Sequence, residues 1–285
     1  MPWGFDVAGG ARPASNQRVE LLMRFSVVLL AAVVMTAQEH QVGQGVNFYS
    51  RQKEAVLGAQ LARELRQETT PLDSPTVRDF VEQIGRKLAA QLPVAGISYT
   101  FAVVTDDLGG PTHEPLSVPG GYVFVPTSLI LTAQNEAECA GMVGHAMAHV
   151  AERHGTRLAS RGQLMGGTST PFIFIGGWPN MGIGPSGQTI PLGFLTSLRA
   201  FESQSDWLAI QMTSAAGYDP EAIALYIGRV QTEDNTTQKV FSTLPSRASR
   251  IADMKKAIQK LPSNTYSSSD EFPRIQSEVR QLTSH

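Results

Sequence analysis

The chain has 285 residues, 42% of them hydrophobic and 17% charged, which is enough to bury a sizeable core and excludes a disordered chain. A formal net charge of -2 gives no basic excess, so nucleic acid and an anionic membrane surface are set aside as main partners. One cysteine, Cys139, excludes an intramolecular disulfide and a cysteine metal cluster; within an apolar helical run it reads as a buried core thiol.

Residues 1–22 show no periodicity and directly precede Met23 to Ala37, where a basic start at Arg24, about a dozen apolar residues and small residues before Ala37 make a complete signal peptide. Met23 is therefore the expected start, with 1–22 an upstream extension, 23–37 removed on export, and 38–285 a single mature domain with C-terminal helices. The apolar run falls short of the roughly eighteen residues of a spanning helix, so no transmembrane helix is expected after cleavage.

Ser50 to Gln67 has helical spacing of Val56, Leu57, Leu61 and Leu65. Ser74-Pro75 caps and starts a second helix with the stripe Val77, Phe80, Val81, Ile84 and Leu88, ended by Pro93. Ile97, Tyr99, Phe101 and Val103 alternate with smaller or polar residues as in a half-buried strand. After a turn-rich break, Pro119-Gly120-Gly121 leads into a second short strand, Tyr122-Val123-Phe124-Val125, limited by Pro126. Asn135-Glu136-Ala137-Glu138 fits a capping box and opens a helix expected to run to about Ser160. Gly166 to Gly193 reads as a long irregular stretch. Helices then follow over Leu195 to Ala216, from Asp219-Pro220 to about Val230, over Arg250 to Lys260, and in a last amphipathic segment with Phe272, Ile275, Val279 and Leu282. The expected class is α+β, mainly helical, with one small β-sheet.

The chemistry concentrates on Gly144-His145-Ala146-Met147-Ala148-His149. Histidines four apart on a helix project from one face, the spacing at which two imidazoles share a zinc ion. In a zinc peptidase a glutamate follows the first histidine, because a carboxylate there takes the proton from the attacking water. Here it is Ala146. His154, nine residues after His145 on a continuous helix, falls on the opposite face and reads as a packing or hydrogen-bonding residue. Glu152 reads as part of a solvated face.

Asn47-Phe48-Tyr49-Ser50, Pro119-Gly120-Gly121-Tyr122, Asn135 to Glu138, His145 to His149 with Arg153-His154-Gly155, and Ala216-Gly217-Tyr218-Asp219-Pro220 occur in order. On these motifs, from Val46 to Leu282, the chain resembles the BepA-like and HtpX-like zinc metallopeptidases, the gluzincin family that includes the CAAX prenyl endopeptidases. The resemblance implies a zincin-like metallopeptidase domain with a central metal-site helix, and zinc held by His145 and His149. It places Ala146 at the lost general base and Gln204, within Glu202-Ser203-Gln204-Ser205-Asp206, at the third ligand. It makes Asp206 a carboxylate orienting a ligand histidine, and sets Leu244 where the family has a histidine near the active site. Three replaced groups imply weakened zinc affinity and impaired catalysis. The implied function is that of an exported homologue of endopeptidases acting on misfolded or envelope proteins, periplasmic by resemblance, binding extended or unfolded polypeptide or a protein partner. The alternative is an active metalloendopeptidase with a rearranged or artificially inactivated site. Tyr122, Val123, Phe124 and Val125 are either an edge strand that holds polypeptide by backbone pairing or an ordinary core strand.

Overall fold

The computed structural model describes residues 41–106, 113–164, 173–175, 178–180, 192–231, 245–266 and 269–284. The extension and signal-peptide readings, and Leu244, lie outside the described residues.

Among the described residues, nine helices surround one small sheet, the α+β, mainly helical architecture expected from the sequence. Helices α1 (Arg51–Glu68) and α2 (Pro75–Ala89) precede strand β1 (Thr100–Val104). Ser50 and Ser74 cap them by accepting hydrogen bonds from the Lys53 and Val77 amides. Strands β2 (Leu116–Val118) and β3 (Tyr122–Pro126) follow, then α3 (Thr127–Thr132) and α4 (Glu136–Ala151), which carries the histidine pair. After α5 (His154–Leu164) come the short strands β4 (Ile173–Ile175) and β5 (Trp178–Asn180). The helices α6 (Leu192–Ala215), α7 (Glu221–Val230), α8 (Arg247–Ile258) and α9 (Phe272–Thr283) complete the chain.

The sheet order is β1-β3-β2-β4-β5. β3 pairs parallel with β1, Phe101 opposite Val123, and antiparallel with β2, Ser117 opposite the same Val123. Tyr122 to Phe124 are therefore paired on both sides and Val125 with β1 alone, so the strand is central and the edge reading of these four residues does not hold. β2, which local periodicity did not reveal, is paired on its other side with β4 through Ser117 and Phe174. β4 and β5 fall within the stretch expected to be irregular.

α4 is the centre of the core. Every residue from Glu136 to Ala151 except Ala137 is buried, as expected of a helix apolar on nearly all sides. It packs against α2, α6 and α7. Gly141 makes the α7 approach possible, since a Cβ there would lie 2.9 Å from Ile223 Cβ. Asn135 caps the helix, its Oδ1 accepting from the Glu138 amide at 2.9 Å, while Glu138 reaches one residue beyond the cap, to the Gln134 amide at 2.7 Å, a shifted form of the expected capping box. Cys139 is fully buried and its thiol pKa is pushed up to about 12 by desolvation, with Glu136 and Glu138 adding to it.

α4 ends at Ala151, short of the Ser160 expected. Arg153 adopts φ 60°, a left-handed conformation that stops the helix and redirects the chain into α5. The arginine is held in place by Glu54, which receives its Nε–H at 2.9 and 3.0 Å, and by the Tyr49 carbonyl. The turn brings His154 back towards α4. Glu152 is also buried, not solvated, and accepts from the Gly43 amide at 2.9 Å.

Candidate metal centre

His145 and His149 lie one turn apart on α4, with their Nε2 atoms 3.0 Å from each other. The third member of the cluster comes from α6. Glu202 Oε2 is 3.4 Å from His145 Nε2, and its Oε1 is 3.4 Å from His149 Nε2. Among the described residues, these three form the one group of histidine, cysteine or carboxylate side chains able to hold a metal ion, and all three are buried.

The donor set fits zinc. Bonds of about 2.0–2.1 Å in a tetrahedron place neighbouring donors roughly 3.3–3.4 Å apart, close to the spacings found here. Neither oxygen of Glu202 has a hydrogen-bond partner although both are buried, a costly arrangement that a cation between the three side chains would relieve.

Gln204 is not the third donor. Its Oε1 lies 3.0 Å from His154 Nε2 and 3.5 Å from Arg157 Nη1. The reason is helical geometry: Glu202 and Asp206, four residues apart, share the face of α6 that meets α4, whereas Gln204 is rotated about 200° from Glu202. A four-residue carboxylate pair facing a four-residue histidine pair is the signal in the sequence that points to Glu202. The expected loss of zinc affinity rested on Gln204, and that ground goes with the assignment.

Asp206 lies beside His145 and Arg250. Its Oδ1 is 2.9 Å from His145 Nδ1, and the carboxylate is gripped by Arg250 through Nε at 2.8 Å and Nη2 at 2.6 Å. Burial pushes the Asp206 pKa up, but the guanidinium beside it outweighs burial and holds the carboxyl well below its usual range. Arg250 also faces Gln231 Oε1 at 3.4 Å and Glu114 Oε1 at 3.6 Å. Local sequence patterning singled out neither Glu114 nor Arg250, because residues distant in the chain bring them to the site. Glu114 is buried and its pKa is raised by desolvation, which His145 and Arg250 only partly offset.

The two histidines titrate in opposite directions. Burial disfavours the charged form of His145, but Asp206 and Glu202 overcome it and raise the pKa to about 10. Burial dominates at His149 and lowers its pKa to about 3, with Glu202 opposing and His145 reinforcing the shift. His154 is pushed well below its ordinary value by burial, then by His149 and Arg157. Without metal, His145 Nε2 and His149 Nε2 are within hydrogen-bond reach of each other.

Ala146, beside the first histidine, is 2% exposed and part of the apolar core. A methyl group occupies the position from which a carboxylate would act. On the other side of His149 lies a cavity of about 60 Å3, bordered by Ser117 to Gly120, Arg51, Glu54 and Arg153.

The sequence profile of peptidase family M48 matches residues 78–258. The beta-barrel assembly-enhancing protease of Escherichia coli strain K12 is 20% identical over 235 residues, 77% of this chain and 47% of that protein. That of Yersinia pestis is 23% identical over 234 residues, 76% of this chain and 46% of its own length. A Vibrio cholerae protein given the same name provisionally is 25% identical over 222 residues, 74% of this chain and 45% of the relative. The chain thus spans less than half the length of these relatives.

Proposed function

From a chain that belongs to peptidase family M48, we propose a zinc-holding homologue of the metalloendopeptidases in which peptide-bond hydrolysis is impaired. The observation that carries this reading is the pairing of a complete His145–His149–Glu202 donor set with a methyl group at Ala146. Zinc, when bound, acts as a Lewis acid on the scissile carbonyl and activates water. The groups of this chain hold the ion and orient its ligands, but Ala146 can neither accept a proton nor position water. The absence of a positioned base costs about a hundred- to ten-thousand-fold in rate. Leu244, where the resemblance implies a histidine, is a second loss in the same direction.

The proposed ligand is extended or unfolded polypeptide, or a partner protein presenting such a segment. It is supported by the relatives being named proteases, whose substrates are polypeptides. Export, with the periplasm as destination, is proposed from the signal-like segment Met23 to Ala37. No helix among the described residues is long and apolar enough to cross a membrane.

Hydrolysis of unfolded casein with and without chelator tests the reading. The unaltered protein should show little chelator-sensitive turnover, and Ala146→Glu should raise it by about a hundred- to ten-thousand-fold. Chelator-sensitive turnover by the unaltered protein equal to that of Ala146→Glu would overturn impaired catalysis.

A further inference from the structure

When both ligand histidines give Nε2 to a metal ion, each carries its ring proton on Nδ1, and whatever accepts that proton sets the tautomer and the orientation of the ring. For His145 the nearest carboxylate to Nδ1 is that of Asp206, at 2.9 Å. For His149 the facing group is another imidazole: His149 Nδ1 lies 3.0 Å from Nδ1 of His154, which is buried. A neutral imidazole offers one donor and one acceptor nitrogen. His154 can accept at Nδ1 only if its own proton sits on Nε2, and Nε2 faces Gln204 Oε1 at 3.0 Å.

The direction of the chain is fixed at its far end. Arg157 Nη1, which can only donate, is directed at the same Gln204 atom at 3.5 Å, which makes that atom the amide oxygen and His154 Nε2 its second donor. The amide oxygen satisfies both donors, and the amide nitrogen neither. Arg157 is itself anchored by the Glu152 carbonyl at 3.2 Å. The His154 ring is further held by stacking on Phe201, with centroids 4.1 Å apart and planes 13° from parallel. Ser205 Oγ, 3.3 Å from His154 Nδ1, can donate to the same nitrogen, in keeping with Nδ1 as the acceptor.

We propose that His154, oriented by Gln204 and Arg157, is a positioning residue that holds His149 in the tautomer able to bind metal. Gln204 then serves the site from two hydrogen bonds behind a ligand. The proposal rests on zinc occupying the three donors, as proposed above.

Zinc affinity, measured by competition with a chromophoric chelator, is compared across variants of the full chain. His154→Phe keeps a stacked ring but removes the acceptor, and zinc affinity should fall by about ten- to a hundred-fold. His154→Asn places an oxygen near the former Nδ1 and should recover most of that loss. Gln204→Leu, at a half-buried position, should weaken zinc by about tenfold if His154 loses its fixed direction. Nitrogen-15 NMR of the zinc-free protein reads the tautomer directly: His149 should carry its proton on Nδ1 in the unaltered chain and become mixed in His154→Phe and Gln204→Leu. A packing role alone would leave the tautomer unmoved. If His154→Phe fails to fold, Gln204→Leu carries both readouts. Unchanged affinity and unchanged tautomer in the folded variants would overturn the proposal. An unaltered protein that takes up no zinc would instead defeat the zinc reading, while the tautomer measurement would still decide the role of His154.

Discussion

Zinc entry should expel one proton from the site, and the affinity should follow pH accordingly. Of the three donors, His149 is already neutral, with a pKa lowered to about 3, and Glu202, whose pKa burial alone would raise, is held below its ordinary value by His145 and Arg250, so it is ionised. His145 alone must change state, because its pKa is raised to about 10 and zinc needs its Nε2 lone pair. At pH 7, three units below that value, removing the proton costs about 4 kcal/mol. Apparent zinc affinity should therefore rise about tenfold per pH unit, roughly a hundredfold between pH 6 and pH 8. Calorimetry in two buffers of different ionisation enthalpy measures the proton directly, and the expected release is one per zinc. A binding enthalpy independent of the buffer, with affinity flat from pH 6 to pH 8, would refute this account of His145. The zinc-free protein carries the complementary signature. Because the folded pKa of His145 lies above its ordinary value, the stability it contributes is fully present below about pH 6.5 and is lost as pH rises through about 10.

Replacing Arg250 with methionine should leave Asp206 buried without its guanidinium and cost about 3–5 kcal/mol, read from chemical denaturation; a change below 1 kcal/mol would mean that water reaches the carboxylate. The depressed pKa of Asp206 adds an acid limb: its contribution is present above about pH 3.9 and is lost as pH falls through its folded value, so Arg250→Met should flatten that limb. Gly58→Ala should lower the thermal midpoint, because a Cβ there would sit 1.6 Å from the Pro119 carbonyl oxygen, and the overlap should cost about 1–3 kcal/mol or more. A midpoint equal to that of the unaltered chain would show that α1 and the β2–β3 turn separate readily.

The histidine helix was legible because its signals are local: a capping box at Asn135, two histidines one turn apart, and apolar residues on almost every side. What required folding was non-local. Tyr122 to Val125 read as a strand, but its central place depends on β1 and β2 lying on either side, and three-residue β2 has too little length for an alternating pattern. The bend at Arg153 is carried by a residue with no intrinsic preference for the left-handed conformation, so His154 was placed on the wrong face. Glu202 was visible in principle as the first carboxylate of a four-residue pair with Asp206. The family pattern points to Gln204, but only Glu202 and Asp206 share the helix face that meets the histidines. Glu114 and Arg250 meet 136 positions apart in the chain, a contact that local patterning does not encode.

The most direct measurement of the central claim is the zinc content of the purified protein beside that of Glu202→Gln, after identical dialysis against a weak chelator. One zinc per chain in the unaltered protein and little or none in the variant is the expected result. Equal zinc in both, or none in the unaltered protein, would contradict the assignment of His145, His149 and Glu202 as a working metal centre.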